Sequence, residues 1–167
     1  LAPTAPLKPL VVGGGQELGR RSGTENVAGI AGFGVAAYEA LVGLAGAKAV
    51  SEMRDELEQR IRTISNEAII LAEGADRLSN TSCIAMPGVK GETQVMHFDL
   101  AGICLSSGSA CSSGKVKVSH VLSAMGYSDE VAESSIRISL GYNSQPSDID
   151  AFVAAWGKLY ERAGKKG

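Results

Sequence analysis

Residues 106–120 read SSGSACSSGKVKVSH and set one thiol, Cys111, among serines, glycines and an alanine. A structural cysteine packs among Leu, Ile and Val, because an uncharged thiol behaves as a small hydrophobe. The small residues here instead predict a thiol presented on a mobile loop over about 106–118. Such a thiol does chemistry as a thiolate, or when it is placed against a reacting atom. Loop mobility would carry it between a pocket and an outside acceptor. Arg137, in SSIRISLG, alternates with Ile136 and Ile138 and points to the opposite side of its strand. Its planar fork suits a small carboxylate. A third cluster, GGGQELGRRSGTEN, places Arg20, Arg21, Ser22, Gly23 and Thr24 just ahead of a helix. Free helix N–H groups and arginine there favour phosphate or carboxylate, although a plain connecting loop accounts for the stretch equally well. It is not a dinucleotide fingerprint, since Leu18 sits where the third glycine belongs.

Thiol, carboxylate clamp and phosphate site together describe an amino-acid enzyme with a phosphorylated cofactor. On these residues alone, a non-catalytic binding domain stays open.

The elements that must position these groups follow from pattern. PLVV reads as a short strand before the glycine turn. NVAGIAGFGVAAYEALVGLAG reads as a helix whose Gly29, Gly32 and Gly34 predict burial and close packing, since each would weaken an exposed helix by about 1 kcal/mol. Val50, Met53, Leu57, Ile61 and Ile64 recur at three- and four-residue steps, the mark of an amphipathic surface helix. AIILAE and NTSCIAMPG read as strands, ETQVMHFDLAG as a short helix ended by Gly102, and ICLSS as the strand entering the Cys111 loop. Ser119 N-caps HVLSAMG, and SSIRISLG is a strand. The last helix opens on a Ser147–Asp150 capping box and buries Ile149, Phe152, Val153, Trp156 and Tyr160. Mixed strands with helices on one face make an α+β fold, an α/β sandwich.

Composition narrows the function classes. The chain has 167 residues, 44% hydrophobic and 20% charged, enough for one domain with a real core. A formal net charge of −2 argues against non-specific nucleic-acid or anionic-membrane binding. No apolar stretch is expected to span a membrane, and no signal peptide is visible. Cys83, Cys104 and Cys111 form an odd set, which points to free thiols in a reducing compartment. With only His97 and His120 to join them, they match no common zinc spacing, and no metal site is expected. The proline-rich opening LAPTAPLKPL suits a strap or linker entering from something upstream.

Four segments, GGGQELGRRSGTEN, SSGSACSSG, SHVLSAMG and SSIRISLG, resemble in order the C-terminal motifs of the pyridoxal-phosphate-dependent cysteine desulfurases of the NifS/IscS type, within the class V aminotransferase superfamily. The likeness runs over nearly the whole chain. It implies the C-terminal small domain of a fold-type I pyridoxal-phosphate transferase over 27–167, a mixed or antiparallel sheet covered by helices. Residues 1–26 would end the cofactor-binding large domain. By motif position, Cys111 takes the sulfur of L-cysteine as a persulfide and leaves alanine, and Arg137 binds the substrate carboxylate. Thr24 reaches the cofactor phosphate of the partner subunit in a homodimer, and Arg21 joins the cofactor-binding strip. Asn80 matches a structural asparagine. The resemblance further implies a sulfur-acceptor or iron–sulfur scaffold protein as partner, a cytoplasmic setting, and neither nucleic acid nor membrane.

The departures bear on activity. In the family a first half holds the Schiff-base lysine, the histidine stacked on the cofactor ring and the aspartate on the pyridine nitrogen. None of those motifs is in this sequence, so no lysine is nominated. The chain reads as a C-terminal piece that does not bind the cofactor covalently or turn over cysteine alone. Lys115, Val116 and Lys117 replace an acidic-proline stretch, which bears on acceptor preference, and His120 reads as a helix-start residue. Two alternatives remain: a selenocysteine lyase or other class V enzyme, and a non-catalytic persulfide carrier. The loop thiol argues against an aminotransferase, which needs none.

Overall fold

The structure is a computed structural model that describes residues 6, 8–107 and 119–164. The chain divides into two compact units, Leu1–Leu44 and Ala45–Gly167.

In the first unit, Ser22 closes a loop: its N–H donates to the Val11 carbonyl and its Oγ to the Gly14 carbonyl, both at 3.0 Å. The strand expected over PLVV does not form. Val11 and Val12 are exposed and enter no sheet, because no strand among the described residues pairs with them. A 310 turn, Gln16–Gly19, follows. Helix α1, Val27–Gly43, starts at Asn26, whose Oδ1 accepts from the Gly29 N–H at 3.1 Å. The expected burial of this helix is also corrected. It has no buried residue, and Phe33 is 78% exposed. Helix glycines permit close packing, but they do not supply the surface to pack against. The expectation about apolar length changes with it. Within the helical run Val27–Ile64, an 18-residue stretch with a mean hydropathy of 1.7 is long and apolar enough, by length and composition, to cross a membrane. Ala and Gly carry that stretch, so no run of large aliphatic residues announces it.

The second unit is built on α2 (Ala47–Ile64), β1 (Ile69–Ile70), β2 (Thr81–Ala85), α3 (Gly91–Leu100), β3 (Ser106–Ser107), α4 (His120–Ala124), α5 (Asp129–Glu133), β4 (Ser135–Ser139) and α6 (Pro146–Gly164). The strands form one four-stranded sheet in the order β1-β2-β4-β3. All three pairings are antiparallel. In β2 and β4 the alternation sends Ile84, Ile136 and Ile138 into the main core, where they meet Leu57 and Ile61 of α2, Phe98 of α3, and Phe152 and Trp156 of α6. Phe98 and Phe152 stack there with ring centroids 4.8 Å apart. Burying a side chain of this size contributes roughly 1.5–3 kcal/mol. Cys83, of opposite parity in β2, packs instead in a smaller cluster with Leu71, Leu122, Tyr127 and Ala132.

Two details differ from the pattern reading. Helix α5 adds a short element, capped by Ser128, whose Oγ accepts from the Val131 N–H at 3.4 Å. Five residues are too few to show a hydrophobic period. At α6 the cap is Asp148, which accepts from the Gln145 N–H at 2.9 Å, not the Ser147–Asp150 pair. Pro146 starts the helix two residues earlier than expected, and Asp150 is free to pair with Arg60 at 2.7 Å.

Candidate functional site

Arg137 is held by its strand. Ile136 and Ile138 on either side are buried, so the β pleat turns the intervening guanidinium out on the other face. Directly paired residues share a face, so Cys83 of β2, Arg137 of β4 and Ser106 of β3 form one row across the sheet. At the β1–β2 end Leu122, Tyr127, Val131 and Ala132 cover this face. Arg137 itself is exposed, and no carboxylate among the described residues pairs with it. The guanidinium stands open in one row with a thiol and a hydroxyl.

The Cys83 thiol is not a ready nucleophile. Burial pushes its pKa up from the ordinary value of 9.0, against a hydrogen bond with Ser135 and the positive field of Arg137. Cys104 is exposed. Cys111, Lys115 and Lys117 lie outside the described residues.

Two residues fix the backbone around this row, and the pattern reading did not single them out. Gly91 opens α3 so close to the strands that a Cβ there would stand 2.7 Å from the Ser135 carbonyl oxygen and 3.3 Å from the Ser107 Cβ. Buried Gln94, one turn on, donates from Nε2 to the Val89 carbonyl at 2.8 Å and to the Ser134 carbonyl at 2.6 Å. A glycine opening a helix and a glutamine in its first turns are the faint signals available in sequence. Asn80 donates from Nδ2 to the Leu140 carbonyl at 3.1 Å and so fastens the far end of the β2–β4 ladder.

The phosphate-type residues belong to the first unit. Thr24 is exposed, and its hydroxyl makes no hydrogen bond to the described residues. Arg21 is spent differently: its Nη1 donates to the carbonyls of Ser22, Gly23 and Thr24. Its Nη2 stands 3.5 Å from Glu17, a partner four residues back that helical spacing would have suggested. His97 donates from Nε2 to the Ala155 carbonyl, 3.0 Å away, and His120 begins α4. The described lysines, Lys8, Lys48, Lys90 and Lys158, are all exposed. The described residues therefore fit the phosphate end of pyridoxal phosphate and the carboxylate of an amino acid, while none of these lysines is enclosed as a covalent anchor would be. Among the described residues no cluster of three or more His, Cys, Asp or Glu is placed to hold a metal ion.

The second unit is a small antiparallel α+β unit that turns one arginine, Arg137, outward from its sheet. Residues 10–152 match the Aminotransferase class-V family, and the chain belongs to it. It is 47% identical over 148 residues to a cysteine desulfurase of Cereibacter sphaeroides, covering 89% of this chain and 38% of that protein. The structure of a NifS-like protein from Rickettsia africae superposes with a TM-score of 0.79 at 37% identity, covering 92% of this chain and 40% of the other. A second NifS-like protein superposes at 0.82 with 31% identity, covering 97% and 41%. The chain is of the NifS/IscS type and spans about two fifths of the length of these relatives.

Proposed function

We propose that this chain forms part of a cysteine desulfurase, which converts L-cysteine to L-alanine and a persulfide on Cys111. The observation that carries the reading is the open guanidinium of Arg137, in register with Ser106 on the strand from which the chain runs on to Cys111. The guanidinium clamps the substrate carboxylate through paired charge-assisted bonds. The Cys111 thiolate forms a bond to the substrate sulfur, the substrate C–S bond breaks, and the carbon takes a proton to become the methyl of alanine. Pyridoxal phosphate, when bound, supplies the electron sink for the pair left on that carbon. Thr24 holds the cofactor phosphate of a partner subunit in a homodimer. The persulfide then passes to an acceptor thiol or an iron–sulfur scaffold protein. The odd count of thiols and the thiol chemistry favour a reducing cytoplasm.

The test uses the product of the complete reading frame that encodes this chain, incubated with pyridoxal phosphate and L-cysteine. Alanine should form, with an adduct of about 32 Da, one sulfur atom, on Cys111. Cys111→Ser should lose the adduct and keep the cofactor's visible absorbance. A Ser variant releasing sulfide at the normal rate would remove Cys111 from this role.

A further inference from the structure

A groove runs along the outer side of the second unit, between α3 and α6. The two helices lie antiparallel. The start of α3, at Lys90 and Thr93, meets the end of α6, at Leu159, Arg162 and Ala163, around a hollow of about 410 Å³. Farther along, His97, Leu100 and Ala101 face Ala151, Ala154 and Lys158 around a second hollow of about 500 Å³, which shares Arg162 with the first. His97 clips the two helices together there, donating from Nε2 to the Ala155 carbonyl. From Ala151 to Arg162 the groove follows about three helical turns, roughly 16 Å.

Apolar side chains form much of the lining, and Leu100 stands 85% exposed at the rim. The charge is all of one sign. Lys90, Lys158 and Arg162 line the two hollows, and no Asp or Glu does. None of these three cations pairs with a carboxylate among the described residues. The arginines of α2 all do: Arg54 with Asp55, Arg60 with Glu56 and Asp150, and Arg62 with Glu73. The chain carries a net charge of −2, so this strip runs against its average. Lys158 and Arg162 are one turn apart, the spacing at which side chains on a helix are neighbours. Two carboxylates one turn apart on a second helix complement them.

We propose that the α3–α6 groove docks an acidic amphipathic helix of a partner protein. Its apolar stripe lies against Ala151, Ala154 and Leu100, and carboxylates at i and i+4 meet Lys158 and Arg162. Small side chains on α6 let the incoming backbone approach closely, while the cations select an acidic edge and exclude a basic one. The groove is independent of the substrate clamp: α3 and α6 pack on the Ile136 and Ile138 side of the sheet, and Arg137 points to the other.

The probe is a fluorescent synthetic peptide of about four helical turns, with alanine and leucine on one face and glutamates one turn apart on the other. It is titrated with the product of the complete reading frame. Binding should add helical circular dichroism to the peptide and should weaken as salt rises from ~0.05 M to ~0.3 M. Lys158→Glu with Arg162→Glu should weaken it about tenfold, and that variant should prefer the same peptide with lysine for glutamate. Ala154→Leu fills the groove from an exposed position and keeps both cations, so it should weaken the acidic peptide by a similar factor. Melting curves check that both variants are folded; if one is not, the other carries the test. Failure of the wild type to bind the acidic peptide overturns the proposal, and so does binding without a gain in helicity. Full binding by Ala154→Leu beside loss in the charge-reversed variant also overturns it, since the strip would then be a general polyanion contact. Self-association of the wild type that Ala154→Leu abolishes would make a second copy of the chain the occupant instead.

Discussion

Arg137 stands directly across the β2–β4 ladder from Cys83, and the two side chains share one face of the sheet. The pair divides that face. Cys83 closes the cluster formed with Leu71 and Leu122, whereas Arg137 begins the uncovered part that continues to Ser106 on β3. A half-buried thiol and an open guanidinium side by side set what each can do.

Replacing the guanidinium should affect the substrate and leave the fold alone. In the product of the complete reading frame, Arg137→Ala should raise the KM for L-cysteine at least tenfold, since a charge-assisted clamp is lost. Arg137 is exposed and pairs with no described carboxylate, so chemical denaturation should move by no more than about 0.5 kcal/mol. Steady-state kinetics beside a urea melt separates the two effects. An unchanged KM would remove Arg137 from the site.

The Cys83 thiol gives stability its own dependence on alkaline pH. Burial raises its pKa in the folded state above the ordinary 9.0. The unfolded chain therefore loses the proton first, and the contribution, complete below about 9, is lost as pH rises through the folded value. Cys83→Ala should flatten that part of the stability curve. Arg137→Met should push the thiol higher still, because a charge that favours the thiolate is gone. Thiolate absorbance followed from pH 8 to 11 reads both variants.

Pyridoxal phosphate mixed with the 167-residue chain should give no visible band of a lysine-bound cofactor, and added L-cysteine should leave no sulfur adduct. The described lysines are exposed, and Lys48 pairs with Glu52 at 3.8 Å on a solvated helix face. Intact mass with an absorbance scan checks both points. A band together with an adduct would place an anchoring lysine in this chain.

Much of this architecture was legible in the residues. The period of Val50 to Ile64 placed α2, and the alternation of Ile136 with Ile138 placed Arg137 on an outward face, because both patterns are local and strong. What pairs with what was not legible. Cys83 meets Arg137 across 54 positions of chain, and no local propensity encodes that register. Helix α1 was misread for a related reason: burial depends on what covers a face, and glycine content says only that covering is sterically allowed. The Arg21 geometry also escaped notice, because cationic residues ahead of a helix suggest an anion before they suggest carbonyls. The elements of the site were read from residue types, and their relations came from the backbone.

The loop between β1 and β2 is fastened by a buried charge. Glu58 accepts from Arg77 at 2.7 and 3.0 Å and from the Ser82 hydroxyl at 2.6 Å. Burial alone would raise its pKa. The Arg77 and Ser82 hydrogen bonds, with the charges of Arg77 and Arg54, outweigh that and hold it below the ordinary 4.5. A lowered carboxyl contributes stability above about 4.5 and loses it as pH falls through the folded value, so acid should loosen this loop. Glu58→Ala leaves Arg77 without its partner and should cost about 3 kcal/mol, while Arg77 and Glu58 both replaced by apolar residues should cost less. A denaturation series at pH 7 and pH 3 tests the sign.

Gly91 sets the last expectation, and it links packing to chemistry. A Cβ there would lie 2.7 Å from the Ser135 carbonyl oxygen, a backbone atom that cannot swing aside, and 3.2 Å from the Glu133 carbonyl oxygen. Gly91→Ala must therefore push α3 away from the start of β4, and overpacking of this kind costs roughly 1–3 kcal/mol. Gln94 would move with the helix and lose its grip on the Ser134 carbonyl. Ser107 also touches the glycine site, so β3 and the register that sets Ser106 beside Arg137 should be disturbed as well. The variant should thus lower the melting temperature and raise the KM for L-cysteine in the complete protein. Lys90→Ala, one residue earlier on the exposed side, should do neither. A Gly91→Ala protein that melts lower yet keeps its KM would show that α3 packing and the Arg137 row are independent.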